Sequence, residues 1–151
     1  MNPQAGGYTP KDLRFGDSGR TSLIKGITQI ANAVKSTLGP RGHTVLIESP
    51  SQSQGMTVTK DGVTVARSVN LLHPVENLAV TMMKQAANNT ATSAGDGTTT
   101  AIVLTEALVK AGDELMKQNV NRTEILRAIN TELDNIVKEL KKHSQKITKR
   151  R

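Results

Sequence analysis

Four apolar stripes at helical spacing constrain this chain more than any other feature. In the first, Leu23, Ile24, Ile27, Ile30, Ala31, Val34 and Leu38 recur at three- and four-residue steps. Asp17 or Ser18 is placed to cap that helix, and Gly39-Pro40 stops it, because proline disfavours helical backbone in the residue before it. Pro74 opens a second helix with Leu78, Ala79, Met82, Met83, Ala86 and Ala87 on its buried side. A third follows Thr98 through Ile102, Leu104, Leu108, Val109, Leu115 and Met116. A fourth starts at Asn121, with Glu124 at capping-box spacing and a stripe of Ile125, Leu126, Ile129, Leu133, Ile136, Val137 and Leu140. Between the first two helices the sequence turns β-rich. Residues 43–48 and 56–59 read as a hairpin with a polar, mobile tip at 49–55, and residues 11–15 as a short strand. Lys60-Asp61-Gly62 reads as a tight turn into an extended segment carrying Val63, Val65 and Val69. The expected fold is mainly α, about four long helices with a small β hairpin.

The stretch with the most chemistry is Ser93 to Ala101. Asp96 lies between Gly95 and Gly97, and Thr98, Thr99 and Thr100 follow at once at a helix start. Glycine permits positive φ and close backbone approach to a ligand. The free N–H groups and dipole of the helix would point at the same spot, with three hydroxyls beside them. Asp96 offers an oxygen of the kind Mg²⁺ takes. These parts suit a Mg²⁺–polyphosphate; they also suit an ordinary loop-to-helix turn with Asp or Thr as cap. Two other turns resemble it in chemistry: Thr37-Leu38-Gly39-Pro40-Arg41-Gly42 and Thr59-Lys60-Asp61-Gly62.

Composition removes several function classes. Cysteine is absent, which excludes a disulfide framework, thiolate metal sites and a cysteine nucleophile. No run approaches the ~18 apolar residues of a membrane span. Met1 to Pro10 lacks both a signal core and transit-peptide arginines, so a cytoplasmic location is the default. The formal charge is +7, yet Lys141, Lys142, Lys146, Lys149, Arg150 and Arg151 contribute six of those charges, leaving +1 for the rest. With one Tyr, one Phe and no Trp, aromatic platforms for single strands are missing as well. A basic tail on a near-neutral body argues against a nucleic-acid partner. No internal repeat occurs.

The order of these motifs along the chain carries a resemblance. Lys11-Asp12-Leu13-Arg14-Phe15-Gly16, TLGPRG at 37–42, TKDGVTVAR at 59–67, Glu76-Asn77 and AGDGTTTA at 94–101 are similar to the group I (GroEL-type) chaperonins. Asn121 to Ser144 resembles the long equatorial helix of that family. The likeness covers roughly residues 11–144 and implies the N-terminal half of an equatorial domain. A flexible lead at 1–10 and a basic tail at 145–151 would flank it. The resemblance implies ATP and Mg²⁺ as cofactors and an ATP-dependent protein-folding function. Thr37, Leu38, Gly39 and Pro40 would then line base and phosphates, and Lys60 would contact phosphate. Asp61 would be the catalytic residue beside the attacking water. Asp96 would hold Mg²⁺, while Gly97, Thr98, Thr99 and Thr100 bind phosphate oxygens.

Implied partners are other chaperonin subunits in a ring. Unfolded proteins and co-chaperonin would bind only through the family's apical domain, which has no counterpart within residues 1–151. The intermediate-domain carboxylate needed for hydrolysis and the second equatorial half are likewise not among them. The hairpin tip is about two residues longer than the family pattern. The alternative is a stand-alone truncated subunit that binds rings or nucleotide without hydrolysis.

Overall fold

The computed structural model describes residues 13–48 and 55–145. The expected lead at 1–10, the hairpin tip at 49–54 and the tail from 146 onward lie outside the described residues. So does the start of the proposed 11–15 strand; residues 13–15 are not a strand. Five helices and one two-stranded sheet follow in order: α1 Gly16–Lys35, β1 Val45–Glu48, β2 Met56–Thr59, α2 Gly62–Ser68, α3 Pro74–Ala94, α4 Thr98–Lys117 and α5 Arg122–His143. The fold is mainly α with a small hairpin, as the stripes predict. The chain divides into two compact units after Glu106, inside α4.

The first unit is built on α1 and α3. Ile30, Ala31 and Val34 of α1 cluster with Val80, Met83 and Ala87 of α3, Val65 and Ala66 of α2, and Ile102 of α4. Each such Ile, Val or Met side chain, fully buried, contributes about 1.5–3 kcal/mol of transfer free energy, and each Ala less. Gly26 sets the approach of α1 to α3: a Cβ there would run into the backbone carbonyl of Glu76. The Glu76 carboxylate is almost completely buried, and Lys25 reaches it at 2.8 Å while Gln29 donates at 3.0 Å. The Lys25 ammonium chiefly holds that carboxyl below its usual range, against the opposing effect of burial. Asn77 fixes the entry to α3 by accepting from the Leu71 N–H at 2.9 Å.

The hairpin pairs antiparallel with Val45 opposite Thr59 and Ile47 opposite Thr57. Val45 and Ile47 pack on the helical core, whereas Leu46, Met56 and Val58 remain exposed on the other face.

Four expectations are corrected here. Residues 62–68 form a helix rather than an extended segment, because the Asp61 side chain caps it and Val65 and Ala66 are buried as neighbours. Alternation of Val63, Val65 and Val69 could not reveal that. Asp17 and Ser18 do not cap α1: Phe15 occupies the cap position without a side-chain bond, and Asp17 instead pairs with Arg20 at 2.7 Å. α1 stops at Lys35, before Gly39-Pro40, since Thr37 and Leu38 already bond in i→i−3 fashion to Val34 and Lys35. On α3, Leu78 and Met82 are exposed and Val80 and Glu76 take the buried positions.

In the second unit, the chain leaves α4 through Asn119 at φ +62°, with the Val120 N–H donating to the Leu115 carbonyl at 3.1 Å. That is the left-handed helix exit in which asparagine can stand for glycine. The Asn121 side chain caps α5 by accepting from the Thr123 N–H at 2.8 Å. Ile125 is buried, whereas Leu126, Leu133, Ile136, Val137 and Leu140 are exposed. Among the described residues no helix is long and apolar enough to cross a membrane.

Candidate functional site

Three junctions between helix and loop come together in the first unit. The first is the exit of α1. Thr37 donates its hydroxyl to the Val34 carbonyl at 2.8 Å, and Gly39 takes φ +77°. The chain then folds back so tightly that a Cβ on Gly42 would strike the Thr37 carbonyl. The Gly42 N–H closes the turn on the Gly39 carbonyl at 2.9 Å. Leu38, Gly39 and Pro40 stand exposed at its outer edge.

The second junction runs from β2 into α2. The Asp61 carboxylate accepts from the N–H of Val63 at 3.2 Å, the N–H of Thr64 at 2.9 Å and the hydroxyl of Thr64 at 2.5 Å. The Thr64 hydroxyl is the largest of the effects that hold its pKa below the usual carboxylate range. Burial, the next largest effect, opposes it, while the two backbone donors and then the charge of Arg67 reinforce it. Asp61 is therefore a carboxylate at neutral pH, held in one orientation and still exposed. Lys60 is exposed beside it.

The third junction links α3 to α4. Gly95 ends α3 at φ +76° with its N–H on the Ala91 carbonyl at 2.9 Å, and Gly97 follows at φ +88°. Between them Asp96 is exposed and accepts from the Gly97 N–H at 2.6 Å. The Gly97 carbonyl accepts from Ala101 at 2.8 Å, so the N–H groups of Thr98, Thr99 and Thr100 occupy the first turn, where no intrahelical acceptor exists. The three threonines are not equivalent. Thr98 is buried, Thr99 half-buried and Thr100 exposed.

Gly62 is where the junctions meet. A Cβ on it would collide with Oγ1 of Thr99 and come to 3.3 Å from Oγ1 of Thr37. Thr37, Gly62 and Thr99 thus share one point. In the chain, Lys60 and Asp61 precede Gly62, Leu38, Gly39 and Pro40 follow Thr37, and Asp96, Gly97, Thr98 and Thr100 flank Thr99. Glycine is needed here for space, since Gly62 lies in a helix at negative φ. Gly62→Ala is expected to destabilise the first unit by about 1–3 kcal/mol through overpacking. Adding Thr99→Ala, which removes the struck hydroxyl, should recover most of the loss in a thermal melt. Sequence reasoning missed Gly62 and Thr64 as parts of the site. The available signal was the Asp61-to-Thr64 interval, which is N-cap spacing.

Compared with known families, residues 30–151 match the model of the TCP-1/cpn60 chaperonin family. The chain belongs to that chaperonin family. The matched span includes all three junctions. The TLGP, KDG and GDGTTT stretches of this chain occupy the three converging turns.

Proposed function

We propose that this chaperonin segment forms the phosphate- and Mg²⁺-binding wall of an ATP site, within a subunit of an ATP-dependent protein-folding chaperonin. One observation carries the reading. Thr37, Gly62 and Thr99, far apart in sequence, converge where two glycine turns adjoin the amino end of a 20-residue helix, whose first-turn N–H groups have no intrahelical acceptor. Helix amino ends and glycine turns favour phosphate oxygens. The donor set fits Mg²⁺, which is commonly held by one or two carboxylates together with substrate phosphates and waters. Asp96 is such a carboxylate, exposed at the mouth of α4. Bound there, Mg²⁺ would neutralise phosphate charge. The N–H and hydroxyl groups of Thr98 to Thr100 would bind phosphate oxygens, and Lys60 would add a mobile positive charge. Thr37 to Pro40 would line base and phosphates.

Asp61 suits orientation of a water better than storage of its proton. Its carboxyl is fixed by three donors and its pKa is lowered, which makes it a weak proton acceptor. It can still take a hydrogen bond from a water and aim it. The motif resemblance favours group I, with other chaperonin subunits as ring partners. Unfolded protein and co-chaperonin would bind through domains outside these residues.

Asp61→Ala in an assembled chaperonin containing this segment is the test. Turnover is expected to fall at least about a hundredfold, the scale on which lost positioning acts. Stability should fall by only about 1 kcal/mol, the usual value of an N-cap. Turnover near the parent rate with a lowered melting temperature would leave Asp61 as a cap alone and contradict the assignment.

A further inference from the structure

The last residue of α1, Lys35, forms an ion pair with Glu106 of α4. Glu106 is 2% exposed, while the Lys35 side chain keeps 41% of its surface in water. Lys35 lies just before Thr37, and Glu106 about two helical turns beyond Thr98. Burying a carboxylate costs free energy that the pairing only offsets, and two apolar side chains in the same place would commonly stabilise a fold as well or better. What the ion pair adds is direction. Val34 and Ile102 also join α1 to α4 through the core, but apolar packing is non-directional and leaves rotation and axial setting loosely specified. A charge-assisted hydrogen bond restricts both. It acts on two rigid arms, one ending in the Thr37–Pro40 turn and the other beginning in the Thr98–Thr100 turn.

We propose that Lys35 and Glu106 are positioning residues that hold these two turns in register as the halves of one phosphate cradle. The identity of the ligand rests on the nucleotide reading above; the positioning itself does not. Glu106 also meets other groups of the protein, and its pair with Lys35 ties it to α1.

The test uses the 151-residue chain carrying Lys35→Met with Glu106→Met, an apolar pair that removes the buried carboxylate together with its Lys35 partner. Two single variants accompany it: Lys35→Arg, which keeps the pair, and Glu106→Gln, which keeps an acceptor but loses the charge. Thermal melting, amide exchange without nucleotide, and amide shifts on titration with Mg²⁺–ATP are recorded for each.

The double variant is expected to melt at or above the parent temperature, with Ile30 and Val80 amides exchanging as before. The Gly42 and Ala101 amides, which close the two turns on Gly39 and Gly97, should exchange about tenfold faster through local opening. Mg²⁺–ATP should bind about tenfold more weakly, and Lys35→Arg should restore parent values in every readout. A purely structural pair predicts instead that recovered stability brings recovered turns. A double variant with parent melting and parent exchange at Gly42 and Ala101 overturns the proposal. Should the double variant fail to fold, Glu106→Gln decides by the same two amides: faster exchange over an unchanged core supports positioning, and unchanged exchange overturns it. Absence of any Mg²⁺–ATP shift in the parent chain would count against the nucleotide reading, while the exchange data would still judge the positioning.

Discussion

Replacing Asp96 by Ala is expected to abolish ATP turnover in an assembled chaperonin that contains this segment, with a loss of at least about a hundredfold. The same change should leave folding almost untouched. Asp96 is exposed, and its hydrogen bond goes to the N–H of its own neighbour Gly97, so little packing depends on it. Surface substitutions of that kind usually stay within about 0.5 kcal/mol. A phosphate site without its metal ligand, in contrast, must face the polyphosphate charge with neutral donors and the single charge of Lys60. The threonines that follow should behave differently from Asp96 and from one another. Thr100→Ala tests a hydroxyl donor cleanly, at about 0.5–1.5 kcal/mol. Thr98 is 4% exposed, so its truncation mixes lost packing with lost binding. Thr99→Ala opens the space over Gly62. Turnover near the parent rate in Asp96→Ala would remove the metal ligand from the site.

Much of the fold was legible because long helices announce themselves by period and punctuation. Pro74 opens α3, Asn121 caps α5, and the Thr98 start of α4 follows from Gly97. What escaped was short or tertiary. α2 is a helix of seven residues, too brief for its period to stand out from β-branched alternation, and its cap and the burial of Val65 and Ala66 decide it. The stripe of α5 was legible as amphipathic, but sequence periodicity does not say what covers it: Leu133, Ile136 and Leu140 are each more than half exposed. At the site, each turn could be read locally as a plain turn or as a phosphate loop. Their convergence on Gly62 depends on α1 packing against α3 through Gly26, a long-range fact that no local pattern encodes. The motif order compensated for this, because it tied the three turns together through a family rather than through geometry.

The 151 residues by themselves should bind Mg²⁺–ATP weakly and hydrolyse it negligibly. They carry the turn at 37–42, Lys60 with Asp61, and the Asp96–Thr100 junction, the one wall of the site proposed above. Small-molecule sites ordinarily enclose most of their ligand, and an open wall leaves the nucleoside in water. Affinity on the order of millimolar, about −4 kcal/mol, is the expected scale. Hydrolysis should suffer more than binding, because a group opposite Asp61 is needed to complete the alignment of the attacking water. The most direct measurement is an amide-resolved titration of the chain with Mg²⁺–ATP, run beside a phosphate-release assay. Shifts should gather on three stretches together, 38–42, 60–64 and 97–100, vanish in Asp96→Ala, and accompany background phosphate release. Shifts confined to other surfaces, or unchanged by Asp96→Ala, would contradict an ATP wall built from these three junctions.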